Sequence, residues 1–230
     1  MEHILSALPE PLIFVADDEA ETYLAAGVPE SQLRTHPNLY GLARIRNWIN
    51  DHMDSEIVVQ VDDDFKKIQC WAGEFNRHVY YPSGVFAIAA QAAQTAKDLG
   101  TPLFCWSNLG RPTFYKPDDP FSFTGPAGRA LGVVGRELRW DDSLTSMVDT
   151  DASLQVLMKW RFLVCDRRYY WNCGFIYGNN GGCQDIRTAS VRARDRSIMR
   201  QKWGDAFDID RKSRTGTSVN AITVDRRLKI

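Results

Sequence analysis

The residues best equipped for chemistry are three consecutive aspartates, Asp62, Asp63 and Asp64, directly after the apolar run Ile57-Val-Val-Gln-Val61. Adjacent carboxylates repel one another, and partial burial adds to that cost unless a cation or several hydrogen-bond donors neutralise them. Hard divalent ions such as Mg²⁺ and Mn²⁺ bind carboxylate oxygens and keep positions open for water and phosphate. The cluster therefore predicts a divalent-metal site. An acidic surface turn is the alternative; the strand before the cluster favours the metal, because ligands in open α/β sheets gather at the carboxyl ends of strands. Upstream, Arg44, Arg46 and Asn47 lie on a predicted helix, where a guanidinium either meets a nucleotide's base or phosphates or forms surface salt bridges. A second acidic pair, Asp149 and Asp151, precedes the apolar spacing of Leu154, Val156 and Leu157. One of the two fits a helix N-cap. The other, if it faces the reacting groups, is a general base for an attacking hydroxyl, with Asp141 and Asp142 competing for that role.

These residues need a scaffold, and the chain reads as alternating strands and helices. Pro11 to Ala16 predicts a strand, Glu19 to Ala26 a helix stopped by Gly27, and Leu39 to Ile49 a helix with Leu42, Ile45, Trp48 and Ile49 on one side. Ile57 to Val61 predicts a buried strand, Gly84 to Leu99 an Ala-rich helix and Pro102 to Trp106 another strand. Residues 107–128, with four prolines and three glycines, predict a long irregular segment of the kind that often carries function. Beyond it, Leu131 to Leu138 and Arg161 to Val164 predict strands, Ser153 to Lys159 a helix, Asn179 to Gly182 a turn, and Arg187 to Trp203 a basic helix. The alternation predicts an α/β fold. With no repeat and no Gly/Ser-rich linker, it predicts a single domain over residues 1–230.

Composition narrows the function classes. With 44% hydrophobic and 25% charged residues in 230, the chain can bury a sizeable core. No apolar stretch approaches the ~18–20 residues that span a bilayer, and no signal peptide is visible, so a cytoplasmic protein without membrane contact is expected. Five cysteines without a Cys-x-x-Cys pair argue against a disulfide framework and a structural zinc site. The net charge of -1 hides an asymmetry: residues 187–230 hold 12 Lys/Arg against 5 Asp/Glu, and the remainder is acidic. That split marks either a polyanion-binding face or a solvated basic helix and tail. There is no Walker-type phosphate loop and no Gly-x-Ser-x-Gly elbow.

Taken together, Val15-Ala-Asp-Asp-Glu19 with Tyr23 after it, Gly41-Leu-Ala-Arg-Ile-Arg46-Asn47 and Val61-Asp-Asp-Asp64 resemble the nucleotide-sugar glycosyltransferases of the GT-A fold, with their Asp-x-Asp motif. More narrowly, the order resembles the small glycosyltransferases of base J synthesis and of phages that decorate hydroxymethylpyrimidines in DNA. Pro120-Phe-Ser-Phe-Thr-Gly125, Val148 to Leu154, and Gly181-Gly182 before Arg187 fit the same pattern, so the likeness spans roughly residues 11–190. It implies a GT-A-like, Rossmann-type mixed sheet flanked by helices, with a nucleotide-binding half at about 11–106 and an acceptor half at about 107–230. It implies that Arg46, with Asn47 beside it, and Asp62 and Asp63 hold the nucleotide, Asp62 at the ribose. Asp64, with Asp62, would bind a Mn²⁺ or Mg²⁺ ion bridging the diphosphate, and Asp149 would be the base.

Two departures stand out. The acid expected before Asp149 is Val148, and the late histidine that many relatives give to the metal is missing, the histidines being His3, His36, His52 and His78. The implied donor is a nucleotide diphosphosugar, with UDP as the expected nucleotide, and the implied acceptor is a 5-hydroxymethylpyrimidine such as 5-hydroxymethylcytosine in DNA. The basic C-terminal segment would meet phosphates, and Trp171 and Trp203 would stack on a flipped base. A glycan or small-molecule acceptor and a non-catalytic nucleic-acid-binding module are the rival readings.

Overall fold

The structure, a computed structural model, describes residues 2–72, 76–80, 82–107, 115, 117–124, 127–173, 188–208 and 221–222. A short helix α1 (Glu2–Ala7) leads into β1 (Ile13–Ala16), a 3₁₀ turn over Asp17–Glu19, α2 (Ala20–Ala25) and β2 (Leu33–His36). Then come α3 (Leu42–His52), β3 (Ile57–Val61), β4 (Phe65–Ala72), β5 (Asn76–Tyr80), α4 (Pro82–Leu99) and β6 (Leu103–Ser107). The rest comprises β7 (Phe121–Ser122), β8 (Ala130–Val134), α5 (Val148–Trp160), β9 (Val164–Cys173), α6 (Ala189–Trp203), β10 (Phe207–Asp208) and β11 (Ala221–Ile222).

Among the described residues, seven strands form one curled mixed sheet in the order β3-β8-β6-β9-β4-β5, with β7 added on β9. Its only parallel pair is β6 with β9; β1 and β2 form a separate parallel pair, and β10 pairs with β11. The expected α/β class holds, as one domain with helices on both faces of the sheet. Alternation along β6 makes those faces: Leu103 and Cys105 pack with Leu154, Val156 and Leu157 of α5 and Met199 of α6. Phe104 and Trp106 point the other way, toward Val85, Ile88, Ala92 and Ala96 of α4. The two proposed halves interleave, because β6 lies between β8 and β9, and β9 in turn pairs with β4. No helix among the described residues is long and apolar enough to cross a membrane.

Several boundaries differ from those read in the sequence, for physical reasons. The Asp62-Asp63-Asp64 run is a tight turn into β4, closed by the Phe65 N–H donating to the Asp62 carbonyl at 3.2 Å. A bulge between Phe65 and Lys67 breaks the two-residue alternation that would have announced that strand. β8 stops at Val134 because Gly135 turns the chain at φ +73°. The expected strand at Arg161–Val164 begins only at its end, because Arg161 takes a left-handed conformation (φ +76°) to close α5. α5 itself starts five residues before the expected Ser153, at Val148. Gly125, Asn179 to Gly182 and Arg187 lie outside the described residues.

One glycine is dictated by close approach. A Cβ on Gly132 of β8 would sit 1.9 Å from the Phe104 ring on neighbouring β6. Gly132→Ala is therefore expected to lower stability by about 1–3 kcal/mol through overpacking, read as a reduced denaturant midpoint with unchanged slope.

Candidate functional site

The site is assembled around a buried arginine. α3 begins after Gly41, whose φ of +94° only glycine adopts readily, and its buried face carries Ala43, Arg46 and Asn50. From that face Arg46 donates through Nη1 to Asp149 Oδ1, and through Nη2 to Asp62 Oδ1 at 3.2 Å. One guanidinium thus ties the end of β3 to the first turn of α5. Burial alone would disfavour its charge, but Asp149 and Asp62 outweigh that and hold its pKa above the ordinary arginine value. Asp62 and Asp149 keep 29% and 28% of their side chains exposed, so a ligand can reach both.

Backbone pairing sets the position of Asp62. Its N–H donates to the Arg129 carbonyl at 3.1 Å, continuing the β3/β8 ladder one residue past Val61 and Ala130. Burial is the chief reason its carboxyl is pushed up to about 6; Arg46 opposes the shift, and Asp149 and Asp64 add to it. On Asp64, Oδ2 accepts from Arg129 Nη1 at 2.8 Å, while Oδ1 is buried with no hydrogen-bond partner among the described residues. Burial raises this carboxyl as well. Asp63 is exposed at the tip of the turn, where its charge, after burial and Glu19, helps raise the Tyr23 phenol.

The raised Asp62 pKa has a testable sign. The folded chain keeps a proton on Asp62 up to about pH 6, whereas the unfolded chain releases it near ~3.9. Stability of the metal-free protein should therefore fall as pH rises across that window, because the folded state binds the extra proton. Asp62→Asn should flatten this part of the stability profile in denaturant melts, and an unchanged profile would refute the assignment.

The chemistry fits a divalent cation in one specific manner. Among the described residues no group of three or more His, Cys, Asp and Glu is placed to hold a metal, and no histidine is brought into the site. His36 accepts from the Leu39 N–H, and His52 stacks on Trp48. What the turn offers is Asp62, Asp64 and the unpartnered Asp64 oxygen. Asp62, Asp63, Asp64 and Asp149 stand against Arg46 and Arg129, a formal balance of -2. Two carboxylates with the remaining positions filled by diphosphate and water is an ordinary arrangement for Mg²⁺.

The other expected site residues fall elsewhere. Asp151 is fully buried and accepts from Trp203 Nε1 (2.7 Å), Gln155 Nε2 (2.8 Å) and Lys202 Nζ. Its carboxylate is taken up by α5 and α6, so the structure does not bring Asp151 together with Arg46, Asp62 and Asp149. Asp141 is engaged by Ser143 and Lys202, and Asp142 pairs with Arg44 at 3.5 Å. Neither is paired with Arg46. Asn47 uses both ends of its amide on the Trp140 backbone, at 2.8 and 3.0 Å, and so positions that segment. Trp140 in turn lays its ring 5.9 Å from the Arg46 guanidinium carbon. Val148, standing where the resemblance calls for an acid, is buried in the core.

The two tryptophans expected to stack on a base are placed differently, Trp171 buried and Trp203 half-buried. Trp171 is buried and stacked on Trp106 at 4.1 Å, and Trp203 donates to Asp151. Arg194 and Lys202 of the basic helix α6 also turn inward, to Asp195 and to Asp141 and Asp151. Arg129 was not singled out from the sequence. Only the β3/β8 register brings it beside the aspartates, and no local pattern announces it.

A hollow of about 330 Å³ lies at the opposite end of the strands, lined in part by Glu56, Lys97, Arg136, Glu137 and Trp160. Its charges are already matched: Lys97 with Glu56 at 2.6 Å, Glu137 with Lys159 at 2.8 Å, and Arg136 on the Met53 carbonyl. The chemistry therefore concentrates at the Arg46 end. No protein-family model and no curated protein matches the chain.

Proposed function

We propose that the chain is a metal-dependent glycosyltransferase, moving a sugar from a nucleotide diphosphosugar, with UDP as the favoured nucleotide, to a hydroxyl acceptor. The observation that carries this reading is the bridge from buried Arg46 to Asp62 and Asp149, with the unpartnered Asp64 oxygen beside it. A turn of carboxylates and a reachable carboxylate lie at one end of one sheet, which supports displacement of a diphosphate by a hydroxyl.

This reading gives each residue a role that the geometry supports. Asp62 and Asp64 would hold the cation, which supplies electrostatic stabilisation of the charge building on the leaving diphosphate. Arg46 holds Oδ1 of Asp149, and among the described residues no hydrogen bond is made to Oδ2, which remains to accept the hydroxyl proton. The guanidinium, shared between Asp149 and Asp62, fixes the orientation of the Asp149 carboxylate.

Asp149→Asn is expected to lower turnover by ~10²-fold or more with little change in donor binding, the pattern left by removal of a general base. Steady-state kinetics with the donor varied checks this. Near wild-type turnover would remove Asp149 from the mechanism.

The proposed acceptor is a 5-hydroxymethylpyrimidine in DNA. It is supported by the resemblance and by the excess of 12 Lys/Arg over 5 Asp/Glu across residues 187–230. The test is incubation with a panel of nucleotide sugars, Mn²⁺ or Mg²⁺ and hydroxymethylated DNA, followed by digestion to nucleosides and mass analysis. A modified nucleoside heavier by one sugar residue is expected. Donor cleavage without that product would move the acceptor to a glycan or small molecule.

A further inference from the structure

We propose that α6 positions Asp149, gripping the chain on both sides of it, so that Asp195, Lys202 and Trp203 are positioning residues for the transfer reaction; this rests on the reading of Asp149 as the base. Before Asp149, the fully buried Asp195 accepts through Oδ2 from the Ser146 N–H (2.6 Å), the Ser146 hydroxyl (2.8 Å) and the Thr145 N–H (3.1 Å). Its Oδ1 is held by Arg194, whose Nη2 also donates to the Ser143 carbonyl and to Thr145 Oγ1. After Asp149, Asp151 is held by Lys202 and Trp203.

The two grips fix different coordinates. Successive residues of an α-helix are ~100° apart, so Asp149 and Asp151 project in nearly opposite directions. Anchoring Asp151 on α6 sets the rotation that points Asp149 at Arg46. Anchoring residues 145 and 146 on Asp195 sets where α5 begins. That start has no cap of its own: Met147 at the N-cap makes no side-chain hydrogen bond and takes a left-handed φ of +63°. The first N–H groups of a helix have no intrahelical partner, and an uncapped first turn frays. Burying two carboxylates against one helix is also costly unless each is fully hydrogen-bonded. Here both are, and both bracket the same residue.

The experiment compares wild type with Trp203→Phe, which keeps an aromatic side chain, though a smaller one, and removes the N–H, with Asp195→Asn, and with Lys202→Met beside the conservative Lys202→Arg. Lys159→Met, which breaks an exposed pair with Glu137 at the far end of α5, is the control. Two readouts are taken on the full chain: kcat and donor KM for transfer, and hydrogen exchange by mass spectrometry.

Trp203→Phe, Asp195→Asn and Lys202→Met should each lower kcat by about tenfold with donor KM within about twofold, since misplacing a reacting group by a fraction of an ångström is costly. Exchange should quicken over 145–152 while β3, β6 and α4 stay as in wild type. Lys202→Arg should restore both, and Lys159→Met should change neither. Unchanged kcat in an active protein, or a fall in kcat accompanied by faster exchange throughout the chain, would overturn the proposal. If wild type transfers no sugar, the glycosyltransferase reading fails by itself. Exchange then decides whether the grip exists: local quickening over 145–152 supports it, and no change overturns it.

Discussion

Asp64→Asn should abolish sugar transfer while leaving the protein folded. The substitution keeps the side chain's size and removes the charge of a carboxylate whose Oδ1 is buried with no partner among the described residues. Burial already disfavours the Asp64 charge, as its raised pKa shows, so an uncharged side chain of the same size should change melting little. Asp62 alone is a poor anchor for a divalent ion that must also bridge a diphosphate, and activity should fall below detection at any Mn²⁺ concentration. Two measurements check this: transfer across a metal titration, and the thermal transition of both proteins. Full activity of Asp64→Asn in excess chelator would remove the metal from the account.

Arg46→Met should produce the largest loss of stability among the site variants. It leaves Asp62 and Asp149 facing the space where their shared guanidinium had been. Removing one partner of a buried ion pair typically costs about 3–5 kcal/mol, because the remaining charge is left unneutralised. The loss should be smaller at acidic pH. Asp62, already pushed up to about 6 by burial, can take a proton there more readily once the arginine no longer opposes it. Denaturant melts of both proteins at pH 5 and pH 7, the lower value lying below the Asp62 pKa, measure the difference. An equal loss at the two pH values would mean that Asp62 is not the group left unpaired.

Much of the site was legible in the sequence because it sits where local chemistry speaks. Val58 and Gln60 turn inward along a strand that runs into three acids, and such a strand end signals a ligand site without knowledge of the tertiary fold. Arg46 was legible as a candidate, but its burial was not: its partners lie 16 and 103 residues away in the chain. From residue type and spacing alone Asp149 and Asp151 could not be told apart; only the resemblance singled out Asp149. Both are acids in the first turn of α5, and what separates their surroundings is the contact of Asp151 with Lys202 and Trp203, about 50 residues downstream. Burial against Trp106 takes Trp171 out of base stacking. β4 stayed hidden behind its bulge, and Arg129 behind the register of two strands far apart in the chain.

The measurement that bears most directly on the central claim is release of nucleoside diphosphate from a nucleotide sugar by the purified chain. It is followed with and without Mn²⁺, and with and without hydroxymethylated DNA, for wild type and Asp64→Asn. The account predicts release by wild type that requires the metal, rises when the hydroxyl acceptor is present, and is absent in Asp64→Asn. No release from any donor with any divalent metal, or equal release by Asp64→Asn, would contradict it.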